Sequence, residues 1–388
     1  MDELRIGVIG AGGRGGLAGH AHKPDQGSCV VAACDIRPEM QEHVKKWYGP
    51  DCFFCTDYRD LLKRSDVHAV FVTTPDNFHE EHATAALEAG KAVYCEKPLA
   101  ITIAGADRIL NAARDRKGKL YVGHNMRHFP AIIKMRQLID AGAIGQVKAA
   151  WCRHFVSYGG DAYYKDWHSD RRNSTGLLLQ KGAHDIDVLH WLCGGYTRRV
   201  TAMGKLAVYG QITDRHEGGY GHMKWDQAFW PPLSQTQLSP IIDVEDVSMM
   251  LMELDNGVLA SYQQCHFTPD AWRDYTIIGT LGRIENYNDC GACDIHLWNR
   301  RADGYRPKGD EVFHVDGEMG GHGGADERIV AEFVRWVRSG GTIATSPVAA
   351  RYSIAAGCMA THSLRNGSQP QDVPPLPADL EQWFAKTR

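Results

Sequence analysis

Short apolar segments alternate with amphipathic segments along the first third of the chain. Predicted strands cover 6–9, 30–34, 69–73, 92–95 and 120–122. Between them, the stretches 38–47, 79–89 and 104–116 carry apolar residues at the spacing of one helix face. Strands that alternate with helices are typical of a parallel sheet covered on both sides. The pattern therefore predicts an α/β, doubly wound domain.

The pattern changes after residue 123. A helix is predicted over 132–141, a strand over 147–154, an irregular aromatic stretch over 155–175 and a second helix over 176–192. Further on, 248–254, 258–264, 275–278 and 283–286 alternate in polarity between turn residues, which predicts a largely antiparallel sheet. The polar stretch 209–239 lacks a period and is predicted to be a long binding loop. Two helices, over 327–339 and 348–364, complete an α+β region.

These segments predict two domains. The first covers 1–123 and the second covers 124–388, with the C-terminal helices able to pack back on the first domain. A chain of 388 residues is long for one ordinary core, which also favours two domains.

Composition excludes several classes of function. The net charge of -4 provides no basic field for nucleic acid. No apolar run approaches the roughly 18 residues of a membrane span, and the start does not resemble a signal peptide. Eleven cysteines, an odd number, suit reduced thiols in the cytoplasm. Two C-x-x-C pairs, 52–55 and 290–293, lack histidines at zinc-finger spacing, so no metal site is predicted.

A glycine motif follows the first predicted strand. Residues 10–15 read Gly-Ala-Gly-Gly-Arg-Gly, and Asp35 ends the second strand twenty residues beyond Gly15 (35 − 15 = 20). Such glycines let a pyrophosphate approach a helix N-terminus, and the carboxylate accepts hydrogen bonds from the adenosine ribose. Asp35 would repel a 2′-phosphate, which favours NAD over NADP, although Arg37 could accept that phosphate.

Two later loops, 73–77 and 95–98, follow the third and the fourth predicted strands. Both should face the nicotinamide half of the cofactor, because ligands bind beyond the carboxyl ends of the strands in such a sheet. Lys97 is the candidate for proton transfer, because burial beside a cofactor lowers a lysine pKa toward neutrality. The predicted cofactor-binding residues are Gly10, Gly12, Gly13, Arg14, Gly15, Asp35, Arg37, Thr73, Thr74, Pro75, Asn77, His79, Glu96 and Lys97.

Three motifs together resemble the Gfo/Idh/MocA family of sugar and cyclitol dehydrogenases. They are residues 10–15, Glu96-Lys97-Pro98, and the run Lys-Gly-Ala-His-Asp-Ile-Asp at 181–187. The resemblance implies a Rossmann domain, a second domain with an open, largely antiparallel sheet that makes oligomer contacts, and Lys97 at the reacting carbinol. It also implies a homo-oligomer, a dimer or a tetramer.

The third motif departs from the family pattern at one position. Many members carry an aspartate four residues before the motif histidine, and this chain has Gln180 there. His184 is retained, and an imidazole with an ordinary pKa of about 6.5 is a suitable base. Lys97, His184 and Lys181 are the predicted catalytic residues, and Asp185 is predicted to orient His184 or to touch the substrate.

An aromatic and cationic stretch precedes this motif. Its rings could stack on a sugar, and its cations could bind a carboxylate, sulfonate or phosphate. A solvated loop, with Asp166 and Asp170 neutralising the cations, accounts for it equally well. The predicted substrate-binding residues are Lys97, Tyr163, Lys165, Trp167, His168, Arg171, Arg172, His184 and Asp185.

Three classes of function follow. The first is an NAD-dependent oxidoreductase that takes hydride from a ring carbinol of a pyranose, at C3. The second is a redox-neutral NAD-dependent glycoside hydrolase of the same superfamily, including those that act on sulfoquinovosides. The third is a non-catalytic NAD-sensing protein, which would leave Lys97 without a role. The first class is preferred, while Gln180 and the basic stretch favour the second.

Overall fold

The computed structural model describes residues 3–218, 225–289, 291–317 and 322–386. The strands are β1 Leu4–Ile9, β2 Ser28–Cys34, β3 Phe53–Cys55, β4 Ala69–Val72, β5 Ala92–Cys95, β6 Leu120–Val122, β7 Val147–Phe155, β8 Thr197–Lys205, β9 Val247–Leu254, β10 Leu259–Cys265, β11 Trp272–Gly279, β12 Arg283–Tyr287, β13 Cys293–Trp298, β14 Glu311–Val315 and β15 Gln371–Asp372. The α-helices are α1 Met40–Tyr48, α2 Tyr58–Leu62, α3 His79–Glu88, α4 Ile103–Asp115, α5 Pro130–Asp140, α6 Gly159–Tyr163, α7 Arg171–Ser174, α8 Leu177–Gln180, α9 Gly182–Cys193, α10 Ala325–Ser339, α11 Pro347–Arg365 and α12 Ala378–Lys386.

The chain divides into two compact units. The first unit consists of Met1–His128, Gly324–Arg351 and Leu376–Arg388, and the second of Phe129–Gly323 and Tyr352–Pro375. The first break therefore follows His128, five residues beyond the predicted one (128 − 123 = 5), and two C-terminal segments return to the first unit.

The first unit contains a six-stranded parallel sheet in the order β3-β2-β1-β4-β5-β6. Strands β4, β5 and β6 are buried throughout, as expected for a sheet with helices on both faces. The predicted doubly wound fold is confirmed. Strand β3 was not predicted, because three residues are too few to show a period.

Helix α10 completes the core of the first unit. Phe333 packs edge-on against Phe71 and Tyr94, with ring centroids 5.2 and 5.6 Å apart. Ile329 and Val330 on the same face are also fully buried in this cluster. The spacing of these three positions buries one stripe of the helix against the sheet.

The helix after the glycine motif differs from an ordinary α-helix. Residues Gly13–Ala21 form a 3₁₀ helix. Four of its nine residues are glycine, and glycine has a low α-helix propensity, which explains the departure.

The second unit contains a nine-stranded sheet in the order β14-β13-β12-β11-β7-β10-β9-β8-β15. Pairing is antiparallel except between β7 and β10, which run parallel in register from Ala149 opposite Leu259 to Phe155 opposite Cys265. The predicted largely antiparallel sheet is confirmed. Strands β8, β13, β14 and β15 were not predicted as separate elements.

Helix α9 lies across β7, β10 and β11 on one face of this sheet. A Cβ at Gly182 would lie 3.1 Å from the Tyr262 ring, so the start of α9 passes close to β10. The single helix predicted over 176–192 is wrong, because Lys181 separates α8 from α9. The predicted loop over 209–239 contains only 3₁₀ turns and irregular backbone where it is described, and 219–224 lie outside the described residues.

The opposite face of the second sheet carries exposed apolar side chains. They are Met203 on β8, Met249 and Leu251 on β9, Leu259 on β10 and Trp151 on β7. Met203 and Met249 are direct cross-strand neighbours. Within the described residues, no helix is both long and apolar enough to span a membrane.

Candidate functional site

The glycine loop of the first unit leaves no room for larger side chains at two positions. Gly10 has a φ of +89°, and a Cβ there would lie 2.8 Å from the backbone nitrogen of Thr74. A Cβ on Gly15 would lie 2.3 Å from the Gly10 carbonyl oxygen. In contrast, a Cβ on Gly13 or Gly16 would meet nothing within 4 Å. The loop is therefore tightly folded on itself but open at the helix start, and it fits a pyrophosphate.

Asp35 stands at the end of β2, beside this loop. Its Oδ2 accepts a hydrogen bond from the Gly12 amide at 3.0 Å, and its Oδ1 accepts from the amide and Nε of Arg37, both at 3.0 Å. Asp35 is buried, whereas the Arg37 side chain is 46% exposed. The carboxylate therefore lies where ribose hydroxyls would be bound, and Arg37 is paired with it.

This pairing predicts how cofactor preference can be changed. Asp35→Ser should weaken NAD binding and improve NADP binding, because it removes the repelling carboxylate and frees Arg37 for a 2′-phosphate. The ratio of the two dissociation constants, measured by titration, should shift by about 10- to 100-fold, the effect of one or two charge-assisted hydrogen bonds. Adding Arg37→Met should remove the gain for NADP; an unchanged ratio in Asp35→Ser would contradict the assignment.

The loops after β4 and β5 are joined by His79. Its Nε2 lies 2.8 Å from the carbonyl oxygen of Thr74, and its Nδ1 lies 2.7 Å from that of Pro98. His79 is 1% exposed, and burial lowers its pKa. A neutral imidazole carries one N–H, so His79 donates to one of these two carbonyl oxygens, and its buried ring lies between the two loops. Its contact with a cofactor stays a prediction.

The remaining predicted residues of the loop after β4 differ in burial. Thr73 is buried and donates its hydroxyl to the Gly10 carbonyl at 2.8 Å, which ties β4 to the glycine loop. Thr74, Pro75 and Asn77 are half-buried. These three remain the positions of this loop that are available to a cofactor.

Arg14 and Glu96 belong to a cluster of charges. Arg14 Nε donates to Glu96 Oε1 at 2.8 Å, and its two terminal nitrogens donate to the Asp326 carboxylate at 2.7 and 2.9 Å. Burial opposes the charged form of Arg14, but the two carboxylates outweigh it and raise its pKa. Asn125 also donates to Asp326, at 3.0 Å.

Glu96 also fixes the backbone of its neighbour. Its Oε2 accepts from the Lys97 amide at 3.0 Å, and Lys97 itself is half-buried. The charge cluster therefore holds the start of the loop that carries Lys97, and Arg14 and Glu96 act here as positioning residues. Asp326 was not predicted, because 312 residues separate it from Arg14.

In the second unit, Lys181 and His184 lie three residues apart at the start of α9, a spacing that places them on one helix face. Lys181 Nζ lies 5.8 Å from the centroid of the Tyr163 ring. Burial would lower the pKa of Lys181, but the phenols of Tyr158 and Tyr163 outweigh it and raise that pKa. Lys181 therefore holds its proton at neutral pH and can donate a hydrogen bond.

Asp185 is fully buried and faces the sheet. Its carboxylate accepts from the Tyr275 hydroxyl, lies 3.1 Å from His154 Nδ1, and pairs with Arg273 Nε at 3.1 Å. Despite burial, Arg273 and His154 hold its pKa well below the ordinary value. The predicted substrate contact of Asp185 is thus replaced by a structural role, since its oxygens are used within the sheet.

The pH dependence of stability follows from His154. Burial lowers its pKa to about 3, and Arg273 adds to the effect. The unfolded chain binds this proton from about pH 6.5 downward, so the free energy of unfolding should fall between about pH 6.5 and about pH 3, by about 1.4 kcal/mol per pH unit. Urea unfolding at successive pH values gives the free energy of unfolding as a function of pH. His154→Gln should make this curve less steep between about pH 6.5 and about pH 3, and an unchanged slope would contradict the assignment to His154.

The cations of the stretch 163–173 are each matched by a carboxylate. Lys165 is 4% exposed and lies 3.3 Å from Asp161, Arg171 pairs with Asp243 at 2.9 Å, and Arg172 pairs with Asp170. His168 bonds Asp166 and stacks on Trp167 with centroids 3.7 Å apart. These pairs supply neutralising carboxylates, as in the loop interpretation, but Lys165 is buried rather than solvated, and the partners of Lys165 and Arg171 differ from the two aspartates predicted.

The predicted residues therefore fall into two groups, one in each unit. Lys97 accompanies the glycine loop, Asp35 and the loop after β4, whereas His184 accompanies Lys181 and Tyr163. Sequence reasoning missed Tyr158, His154 and Arg273, because their partners come from different strands and share no local motif. Among the described residues, no group of three or more histidine, cysteine or acidic side chains could hold a metal.

Comparison with known proteins shows similarity over most of the chain. An oxidoreductase family model with an NAD-binding Rossmann fold matches residues 4–124, and a model of the GFO/IDH/MocA C-terminal domain matches residues 132–285. Inositol 2-dehydrogenase of Salmonella typhimurium is 31% identical over 195 residues, 49% of this chain and 54% of that protein. A 2,7-anhydro-N-acetylneuraminate hydratase of Mediterraneibacter gnavus is 29% identical over 249 residues, 60% of this chain and 64% of that protein. The chain thus matches between half and two thirds of the length of these relatives.

The fold also matches solved structures. Levoglucosan dehydrogenase in complex with NADH and levoglucosan has a TM-score of 0.77 and 22% identity, and the match covers 96% of this chain and all of that one. At this identity, the similarity establishes a shared fold.

Proposed function

Because the chain belongs to the Gfo/Idh/MocA family of NAD-dependent sugar and cyclitol dehydrogenases, we propose that it oxidises a ring carbinol of a pyranose sugar at C3. When bound, NAD accepts the hydride. The residues of the chain bind and orient the sugar and move the hydroxyl proton. The observation that carries the proposal is the fixed position of Lys97, whose amide is held by Glu96 and through it by Arg14 and Asp326.

In the proposed mechanism, three side chains act on the reacting hydroxyl, its proton and the charge that develops on the substrate. Lys97 hydrogen-bonds the reacting hydroxyl, and His184 accepts the proton that leaves it. Lys181, an ammonium beside Tyr163, donates to a substrate oxygen and stabilises developing negative charge.

A redox-neutral glycoside hydrolase is the alternative. Oxidation at C3 would acidify the C2 proton, the aglycone would leave, water would add, and the hydride would return to C3. Gln180 is buried at the position where many relatives have an acid, and Lys181 with Tyr163 adds proton-transfer groups that such a cycle needs. The similarity to a hydratase, named for the addition of water, also supports it.

One experiment separates the candidates. The protein is incubated with NAD and a panel of pyranosides, both neutral and anionic, and NADH absorbance and aglycone release are followed together. Stoichiometric NADH without cleavage supports the dehydrogenase, and aglycone release without net NADH supports the hydrolase. NAD binding without either signal would leave the third candidate, an NAD-sensing protein.

The charge of the substrate belongs to the same proposal. Because Lys165, Arg171 and Arg172 are paired with carboxylates, a neutral sugar is the better fit, and an anionic one such as a sulfoquinovoside would have to displace an existing pair. Lys165→Met with Arg171→Met should therefore leave the KM ratio of charged to neutral sugars unchanged. A large rise in the KM for charged sugars alone would favour the anionic substrate.

We also propose a cytoplasmic homo-oligomer, a dimer or a tetramer, built on the open face of the second sheet. The cysteines that the structure describes are free thiols, as in a reducing compartment. Leu251, Leu259 and Met203 are each more than 60% exposed, and adjacent exposed apolar side chains are typical of a subunit contact.

Leu251→Lys should weaken this assembly. Lysine at this position would bury an unpaired charge in the apolar interface and remove the contacts of the leucine. Light scattering at micromolar protein should therefore show the molar mass falling toward that of one chain. Tyr305→Lys, at an exposed apolar residue outside this sheet face, is the control and should keep the wild-type mass. An unchanged mass in Leu251→Lys would place the contact elsewhere.

A further inference from the structure

Two cysteines end adjacent strands beside the dinucleotide site. Cys34 on β2 and Cys55 on β3 are Cα partners in a parallel pair, which places their side chains on the same side of the sheet. The Cys55 thiol raises the pKa of Cys34, and the Cys34 thiol lowers the pKa of Cys55. Cys55 Sγ also lies 3.9 Å from the carbonyl oxygen of Ala33, on the strand of Cys34, whereas Cys52, the other cysteine of the C-x-x-C motif, directs its thiol to the carbonyl of its own neighbour Phe53.

The same strand ends shape the site for NAD. The carbonyl oxygen of Cys34 accepts from the amides of Gly10 and Ala11 at 2.9 and 3.3 Å, and the carbonyl of Cys55 accepts from the Asp35 amide at 3.2 Å. Asp35 in turn accepts from the Gly12 amide. Both cysteines are therefore one hydrogen bond away from the glycine loop or the ribose-binding carboxylate.

We propose that Cys34 and Cys55 form a reversible disulfide that lowers the affinity of the protein for NAD. The proposal rests on the dinucleotide site alone and is independent of which sugar is oxidised.

The chemistry balances with a peroxide as oxidant. The Cys55 thiolate attacks one oxygen of hydrogen peroxide, the O–O bond breaks, and water leaves after taking up a proton, which yields a sulfenic acid. The Cys34 sulfur then displaces the second water, so two thiols and one peroxide give one disulfide and two waters. Cys55 is the first nucleophile, because it is half-exposed while Cys34 is 4% exposed, and because the Cys34 thiol lowers its pKa.

Closing the bond moves the strand ends. Residues directly opposite each other on neighbouring strands have Cβ atoms about 4.5–5.5 Å apart, whereas the two Cβ atoms of a disulfide lie about 3.8 Å apart, so the Cβ atoms of Cys34 and Cys55 must approach by roughly 1 Å. Such a shift displaces Asp35 and the backbone that holds Gly10 and Ala11. We expect the disulfide to remove about one hydrogen bond to the cofactor, which raises the dissociation constant for NAD by about tenfold.

The test compares the reduced and the peroxide-treated full-length protein. Peptide mapping should find Cys34 linked to Cys55, and titration with NAD should give a dissociation constant about tenfold higher, restored by dithiothreitol. Cys55→Ser should bind NAD as the reduced wild type does and lose the response to peroxide. Cys52→Ser is the matched control, and its NAD affinity should still fall on treatment with peroxide.

Linkage supplies a second readout. In a glutathione redox buffer, saturating NAD should shift the thiol–disulfide equilibrium toward the dithiol by the same factor by which the disulfide weakens NAD binding. A Cys52–Cys55 bond in the peptide map, or a Cys34–Cys55 bond that leaves NAD affinity unchanged, would overturn the proposal.

Discussion

Lys97→Met is expected to lower kcat by about 10²- to 10⁴-fold, the usual contribution of a positioned acid or base. The dissociation constant for NAD should stay close to the wild-type value, because the glycine loop and Asp35 do not depend on the Lys97 side chain. Methionine keeps the length of the side chain and removes only its charge and its donor. Steady-state kinetics with the best pyranoside, combined with NAD titration, measure both effects.

The control for Lys97→Met is Lys63→Met. Lys63 is an exposed lysine whose side chain is 75% accessible and pairs with Asp60 on the surface, and its replacement should leave kcat unchanged. If Lys97→Met turned over at the wild-type rate, Lys97 would have no part in the chemistry. If it lost NAD binding instead, Lys97 would be a cofactor ligand.

Arg273→Met is expected to lower the free energy of unfolding by about 3–5 kcal/mol, as when one partner of a buried ion pair is removed. Arg273 is 7% exposed and pairs with Asp185 at 3.1 Å and with Asp289 at 2.8 Å. Its loss leaves the buried Asp185 carboxylate without its main positive partner. Urea unfolding of the purified variant measures the change.

A second substitution separates charge from packing. In Arg273→Met with Asp185→Asn, the unpaired carboxylate is gone, so part of the lost stability should return. Arg198→Met is a suitable control, because Arg198 is 59% exposed and its partner Glu253 is 36% exposed, so neither charge is buried when the pair is lost. A double variant no more stable than the single one would contradict the account of this network.

The fold was predictable where the pattern was local. Strands β1, β2 and β4 to β6 are apolar runs bounded by turns, and the glycine motif with Asp35 depends only on spacing along one βαβ unit. Strand β3 is too short to show a period. The place of α10 in the first unit is set by Phe333 meeting Phe71, a contact between residues far apart in the chain.

The site was predictable in its motifs but not in its partners. Residues such as Asp35 and Lys97 occupy strand ends, which sequence can locate. The partner of Arg14, Asp326, and the pairing of Arg171 with Asp243 join segments that no periodicity connects. Asp185 was placed in the site because it belongs to a motif, whereas its burial and its partners within the sheet give it a structural role.

The most direct test of the central claim traces the hydride. The enzyme is mixed with NAD and a turned-over pyranoside that carries deuterium at ring C3, and the nicotinamide is analysed by mass spectrometry after a single turnover is quenched. We expect deuterium on the nicotinamide ring, both for net oxidation and for the redox-neutral cycle quenched before reduction. NADH formed from that sugar without deuterium on its nicotinamide ring would contradict hydride transfer from C3.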